Sequence, residues 1–450
     1  MSLVQQDKAG AAPTPVVTVC GRPPVEAHVA RPPWWGAPVV LGENVGVRIL
    51  IAPDQFGGAL SAVQAAAAMA APWEQAGHRA TLRPMSDGGS GLVEAVHSTR
   101  GGELVPVNVP GTLGQEVPAA VLHVPGRGGG TAYIEPAAVL APSCSHQAED
   151  VVTAGSSAGV ADLVRAAVQT GAGRIVIGLG ASPTHDGGVG MLRRFEQLLS
   201  TGEAPDLPNA GGVADVTTHQ VAGPTDRGPW QALGPVRHRL ADTDLVVAVA
   251  QDTPLLGLHG AGAQLQKFGL SAGAAQRMER RTADLAHHAF EQARNLPPLR
   301  ISLDAAAEVA GPGAPYTGAG GGVAFMLGLL GARLLPGAQV LAGELGLRET
   351  LGEADLVLTG TASLDNHSMH QGVVPTVGTL TAEYGLPVVA LAHDVMVNRR
   401  ELANVGVSAA YPLIDRPLVP GSRPESREPV DPADALRARS ARVLRNWAPR

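Results

Sequence analysis

Four short stretches of this chain place glycine beside a carboxylate or hydroxyl at the end of an apolar run: "PDQFGGALS" from Pro53, "MSDGGSG" from Met85, "GLGASPTHDGGVG" from Gly178 and "LTGTASLDNHS" from Leu358. Glycine lets backbone amides approach a phosphate, and a helix starting behind the loop adds partial positive charge. An aspartate in such a loop can hold Mg²⁺ or take the proton of an attacking hydroxyl. The four stretches supply Asp54, Asp87, Asp186 and Asp365. A single Asp-Gly pair is more often an ordinary turn, but four such loops in one chain point to a site. None completes GxGxxG or GxxxxGK[ST], so neither a dinucleotide fingerprint nor a Walker loop is present. His367 and His370 stand three apart near Asp365. No Glu or Cys completes a ligand set with them, and a solvated pair is the better reading.

The loops need a scaffold that ends strands where helices begin. Short apolar runs predict strands at "VGVRILIA", "RIVIGLG", "DLVVAVA", "DLVLTG" and "PVVALA". They do not alternate with polar residues, which suits strands covered on both faces. Between them "SAVQAAAAMAAPW", "AGVADLVRAAVQTG", "RMERRTADLAHHAFEQARN", "GVAFMLGLLGARLL" and "VGTLTAEYG" read as helices. Alternation of this kind predicts an α/β fold built from βαβ units. Residues 1–44 are rich in Pro, Gly and Ala and read as an irregular extension, with Trp34 and Trp35 as pins to the body. Residues 200–239 read as a long surface connection. The tail from residue 416 ends in an amphipathic pattern, "PADALRARSARVLRNW", expected to be a docked or solvated end.

Composition narrows the class. The chain has 450 residues, too many for one ordinary core, and is 45% hydrophobic against 16% charged, so it folds and two domains are expected. Aromatics are only 3%, so the interior must be built from small side chains packed closely on sheets. A net charge of −7 without Lys/Arg clusters gives no footprint for nucleic acid. No apolar run of roughly 18 residues predicts a membrane span, and the first residues lack a secretory h-region. Cys20 and Cys144 are far apart and read as free thiols. A cytoplasmic protein acting on a small molecule is the expectation.

The order "APDQFGGALSA", "PMSDGGSG", "IEPA", "IGLGASPTHDGGVGML", "TPLLG", "GAGGGVAFMLG", "LLPGA", "EADLVLTGTASLD" and "YGLPVVALA" resembles the type I glycerate kinases from about Val45 to Pro412. The resemblance implies a flavodoxin-like doubly wound domain (45–84 and 300–415) interrupted by an inserted α/β domain similar to restriction endonucleases (85–299), with a tail over 416–450. It implies ATP-dependent phosphorylation of D-glycerate to 2-phosphoglycerate with Mg²⁺, and a homodimer as a possible assembly. The implied catalytic residues are Asp54, Asp87, Asp186 and Asp365, with Asp87 and Asp365 on Mg²⁺. The implied nucleotide cradle is Gly57, Gly58, Gly88, Gly89, Gly180, Ser182, Gly187, Gly188, Gly318, Gly320, Thr359 and Gly360.

This chain departs from the family at the charged positions. Where the family has Asp-Ser-Phe-Lys-Gly, Gln55 replaces the serine and Gly57 the lysine. Ser90 replaces a glutamate, and Ala181, Pro183 and His185 are substitutions in the third loop. Thr-Gly-Glu-Gly-Arg becomes Thr359, Gly360, Thr361, Ala362, Ser363, and Gly-Lys-Ala-Pro becomes "QGVVP". "VAQ" at 249–251 replaces Cys-Asp-Val. Anions are kept and cations lost, with Arg193 and Lys267 as candidates to reach in from elsewhere. Two functions therefore stand: a kinase of this type, and a paralogue that binds a ligand or partner without turnover. An unrelated dehydrogenase lacks its dinucleotide loop.

Overall fold

The computed structural model describes residues 46–142, 148–201, 229–297, 299–302, 305–307, 310–413 and 431–448. The N-terminal extension with Trp34 and Trp35, both cysteines and most of the 200–239 connection lie outside these residues. In chain order the elements begin with β1 (Arg48–Pro53), α1 (Ala62–Gln75), β2 (Arg79–Leu82), α2 (Leu92–Arg100), β3 (Glu103–Pro110), β4 (Glu116–Val124) and β5 (Thr131–Ile134). There follow α3 (Ala148–Ala154), α4 (Ala158–Gln169), β6 (Arg174–Leu179), α5 (Val189–Ser200), α6 (Leu233–Arg239), β7 (Asp244–Val249), α7 (Ala261–Gln264), α8 (Ala272–Arg294), β8 (Leu299–Ser302) and β9 (Ala305–Ala307). The last part holds α9 (Val323–Leu329), β10 (Arg333–Pro336), α10 (Gly337–Glu344), α11 (Leu347–Leu351), β11 (Leu356–Leu364), α12 (Val373–Ala382), β12 (Val388–Val395), α13 (Arg399–Asn404), β13 (Ala409–Pro412) and α14 (Pro432–Trp447).

Five strands form an all-parallel sheet in the order β13-β12-β11-β1-β2. Read from the other edge this is the flavodoxin-like 2-1-3-4-5 order, whose switch point falls between β1 and β11. The second sheet runs β10-β7-β6-β5-β4-β3, parallel from β10 to β5 and antiparallel beyond it. Successive residues of β1 serve opposite faces. Ile49 and Ile51 pack with α1 and α14 residues, while Leu50 and Ala52 enter a cluster shared with the second sheet through Val176, Val246 and Ala248. The helices α2, α10 and α12 contribute to that shared layer, for example through Leu92, Leu341 and Val377. The outer face of the second sheet is covered by α4, α5 and α9.

Several expectations are revised. β10 pairs with β7 in the second sheet, so the chain leaves that sheet after Pro336 and not at residue 300. The expected helix "GVAFMLGLLGARLL" is split, because Gly331 takes φ 110° and lets Arg333–Pro336 run on as a strand. Within the expected 200–239 connection, Pro229–Arg239 is helical, since Leu233, Val236 and Leu240 fall on one buried face. The tail ends in α14, docked on α1, where buried Trp73 donates Nε1–H to Ser440 Oγ at 3.0 Å and that hydroxyl donates to Met69 O at 2.6 Å. The meander β3–β5 had no counterpart in the sequence reading, because Pro106, Pro110 and Pro118 break its strand pattern.

Candidate active site

The first loop leaves β1 at its carboxyl end. Asp54 N–H donates to Gly360 O at 2.8 Å, which fixes the loop at the switch point beside β11. Its carboxylate is 7% exposed and accepts the Gln55 N–H at 2.8 Å. The second loop is tied to the first by Met85 N–H donating to Pro53 O at 2.8 Å. Within it Asp87 Oδ1 accepts the Gly89 N–H at 2.8 Å and Ser86 Oγ accepts that of Gly88 at 3.2 Å. Gly88 sits against Ala248 O and Gly337 Cα, where a side chain would collide at 2.6 and 2.9 Å, so the loop lies over the carboxyl end of β7 at the start of α10. The motif "IEPA" also acquires a role. Glu135 accepts the Gly91 and Val93 N–H groups at 3.0 and 3.4 Å, capping α2 just behind this loop.

Asp54 and Asp87 lie near enough for their charges to interact. Burial, then repulsion from Asp87, pushes the Asp54 carboxyl well above the usual carboxylate range, and burial raises Asp87. Among the described residues no cation offsets either shift. Two neighbouring carboxylates of this kind hold a proton between them or take up a divalent cation. The chemistry of the donor set therefore fits Mg²⁺ held by one or two carboxylates, with the remaining positions left for water and phosphate oxygens. Among the described residues no cluster of three or more His, Cys, Asp or Glu side chains exists to make an all-protein cage.

A cavity of about 540 Å³ opens at Asp87 and extends between α10 and α12. Both helices start at its Asp87 end, α10 after Pro336 and α12 after Gly372, and neither carries a side-chain cap. The first amides of an α-helix have no intrahelical partner, so two sets of N–H donors face this end. Val249, Ala250 and Tyr316 complete the mouth, and His370, Gln371 and Gly372 line it from the fourth stretch. Tyr316 holds φ at 73°, the one non-glycine residue with positive φ among those described, a strained backbone of the sort that gathers at functional sites. Arg348 and Glu383, both exposed, flank the far end as a bidentate pair, with Arg348 Nη2 to Glu383 Oε1 at 3.0 Å.

The other expected residues are placed differently. Asp186 accepts four protein donors: Ser157 N–H and Oγ–H, Gly188 N–H and Gly190 N–H, at 2.8 to 3.0 Å. It joins the starts of α4 and α5 and has no contact with the cavity. Gly187, Gly188, Gly318 and Gly320 serve close backbone packing. Gly187 N–H donates to Gly321 O, Gly320 N–H to Gly180 O and Gly318 N–H to Thr253 O, while a side chain on Gly188 would strike Met326. Gly180 approaches Gly89 and, with Ser182 and Gly318, lines a second hollow of about 20 Å³. Ser182 Oγ donates to Leu140 O at 3.1 Å. Thr359 is fully buried and donates to Ala52 O, and Gly360 is a strand residue packed on Leu391 O and Phe56. Thr361, Ala362 and Ser363 are strand residues too, since β11 runs to Leu364 before any loop begins. Asp365 lies outside the cavity lining, and the Ser368 N–H holds its carboxyl below the usual range. Gly57 and Gly58 are exposed at φ 59° and 79°, and neither lines the cavity. Arg193 and Lys267 do not line it either.

Sequence reasoning missed Arg348, Glu383, Thr376 and Tyr316. The substituted stretches "QGVVP" and "VAQ" carried a usable signal, because Gln371, Gly372 and Ala250 all line the cavity.

The fold is of the α/β class, and the cleft lies at the carboxyl ends of parallel strands. The chain belongs to the glycerate kinase family, whose model matches residues 49–447. It is 32% identical over 377 residues to an uncharacterized protein of Mycobacterium bovis, covering 82% of this chain and 84% of that one. It is 29% identical to the glycerate 2-kinase of Escherichia coli K12, covering 82% and 91%, and 28% identical to the glycerate kinase of Bacillus subtilis, covering 84% and 92%. A crystal structure assigned as glycerate kinase 2 from Salmonella typhimurium LT2 superposes with a TM-score of 0.60 at 25% identity, covering 89% of this chain and 98% of that one.

Proposed function

We propose that the cleft is a phosphotransferase site that uses ATP with Mg²⁺ to phosphorylate a small hydroxy acid, with D-glycerate to 2-phosphoglycerate as the first conversion to test. The observation that carries this reading is the half-buried Asp87 in the lining of a cavity onto which two uncapped helix starts open, together with the buried Asp54, which repels it from outside that lining. When bound, Mg²⁺ would neutralise charge on the transferring phosphoryl group. The chain's own residues do the rest. The amides opening α10 and α12 bind phosphate oxygens, in place of lysines at Gly57 and Val373. Asp87, lining the cavity, holds the metal. Asp54, the more deeply buried, keeps a carboxyl whose proton affinity is high enough to accept the substrate hydroxyl proton.

A second reading, ligand binding without turnover, is favoured by the fate of the expected cations. Val373 stands where the resemblance puts a lysine and is 2% exposed in the core. Gly57 has no side chain, and Arg348 is clasped by Glu383. A coupled assay for ADP release over a panel of small hydroxy acids separates the two. Release that requires both the acid and Mg²⁺ supports the kinase; thermal stabilisation by ATP and Mg²⁺ without release supports the binding module.

A further inference from the structure

The cavity is longer than a reaction centre for a three-carbon acid requires. Along α12 and its C-cap the lining runs from Pro375 to Glu383, eight steps or roughly 12 Å of helix, away from Asp87. α10 lines it with Gln339 near its start and with Ala342 and Gly343 farther along, so away from Asp87 the two helices leave a slot. Leu380 supplies an apolar wall, and Thr376 and Thr379 supply hydroxyls at the rim. At the far end Arg348 and Glu383 already satisfy each other. An anionic group arriving there would have to break that pair, whereas a neutral, flat one would not. The bidentate contact also fixes the plane of the guanidinium, which is the geometry in which arginine stacks on a π-face.

We propose that this far half of the cavity seats the nucleoside of ATP, with the base in the slot between α10 and α12 and the Arg348 guanidinium lying over it while paired with Glu383. The proposal rests on the phosphotransferase reading, since it takes the phosphates to lie at the helix starts beside Asp87. It assigns Arg348 and Glu383 to base recognition and leaves the acid pair to the chemistry.

The test is calorimetric titration of the full chain with ATP and with inorganic triphosphate, both with Mg²⁺. The wild type is expected to bind ATP about tenfold or more tightly than triphosphate, the margin being the nucleoside's contribution. Thr379 is exposed on α12, so Thr379→Trp fills the slot without disturbing a core. It should bring ATP down to the level of triphosphate and leave triphosphate within about twofold. Arg348→Ala should weaken ATP selectively, and Arg348→Lys should not restore it because lysine has no plane to stack. Equal affinities in the wild type, or an unchanged ATP affinity in Thr379→Trp, overturns the proposal. Hydroxy-acid-dependent ADP release by a Thr379→Trp protein with unaltered ATP affinity would leave the kinase reading standing and remove this one. Slot-dependent ATP binding with no ADP release would do the reverse, and a wild type that binds neither ligand overturns both.

Discussion

Charge is treated in opposite ways by the loops that follow β1 and β2 and by the second sheet. At the amino ends of its strands, Arg174, Asp244 and Arg333 open β6, β7 and β10 and interlock with Glu344, Arg100 and the Tyr133 hydroxyl. Arg333 Nη2 reaches both Asp244 oxygens at 2.7 and 2.9 Å, and Arg174 bridges Asp244 and Glu344. Arg100 and Tyr133 both donate to Glu344 Oε2, at 3.0 and 2.5 Å. At the carboxyl ends of β1 and β2, in the first sheet, Asp54 and Asp87 repel each other and accept from backbone donors. Charges matched inside the protein hold strands together; like charges left facing each other are a liability to folding unless a ligand completes them.

Breaking each end should therefore give different phenotypes. The largest effect belongs to the carboxyl end: Asp87→Asn is expected to lower Mg²⁺-dependent phosphoryl transfer about a hundred- to a thousandfold, measured as kcat by ADP release, with little loss of stability. Next comes the amino end. Glu344→Ala leaves Arg100, Arg174 and the Tyr133 hydroxyl without their shared acceptor and should cost about 2–4 kcal/mol in urea unfolding. An Asp87→Asn protein as destabilised as Glu344→Ala would erase the contrast between the two ends.

The smallest effect concerns pH. The unfolded chain releases the Asp54 proton in the ordinary carboxylate range, while the folded chain holds it to higher pH. Between those two values the folded state carries more protons, so stability falls as pH rises through the window. Asp54→Asn should flatten that fall and stabilise the protein at neutral pH by about 1 kcal/mol, the scale of relieving one uncompensated buried polar group. Melting temperatures across pH 4 to 8 check this, and a wild type that gains stability with rising pH contradicts it.

Much of this was legible in the sequence and some was not, for identifiable reasons. The five apolar runs read as strands all are strands, because strands covered on both faces need continuous Val, Ile and Leu. Asp54 and Asp87 were legible as loop aspartates at strand ends. Asp186 looked the same locally and differs only through Ser157, twenty-nine residues away, which supplies two of its four donors. The glycines at 187, 188, 318 and 320 read as a phosphate cradle, yet glycine marks close approach without saying whether a ligand or another backbone approaches. The slot between α10 and α12 was invisible because it arises where Ala342 and Gly343 of one helix meet another helix in the layer between the two sheets, and the Arg348–Glu383 pair spans thirty-five positions.

The most direct measurement is Mn²⁺ binding followed by electron paramagnetic resonance in the presence of ATP, Mn²⁺ standing in for Mg²⁺. If Asp87 is the metal seat of the cleft, the wild type takes up one ion with ATP and Asp87→Asn takes up none beyond what free ATP binds. Equal uptake by the two proteins would contradict that assignment.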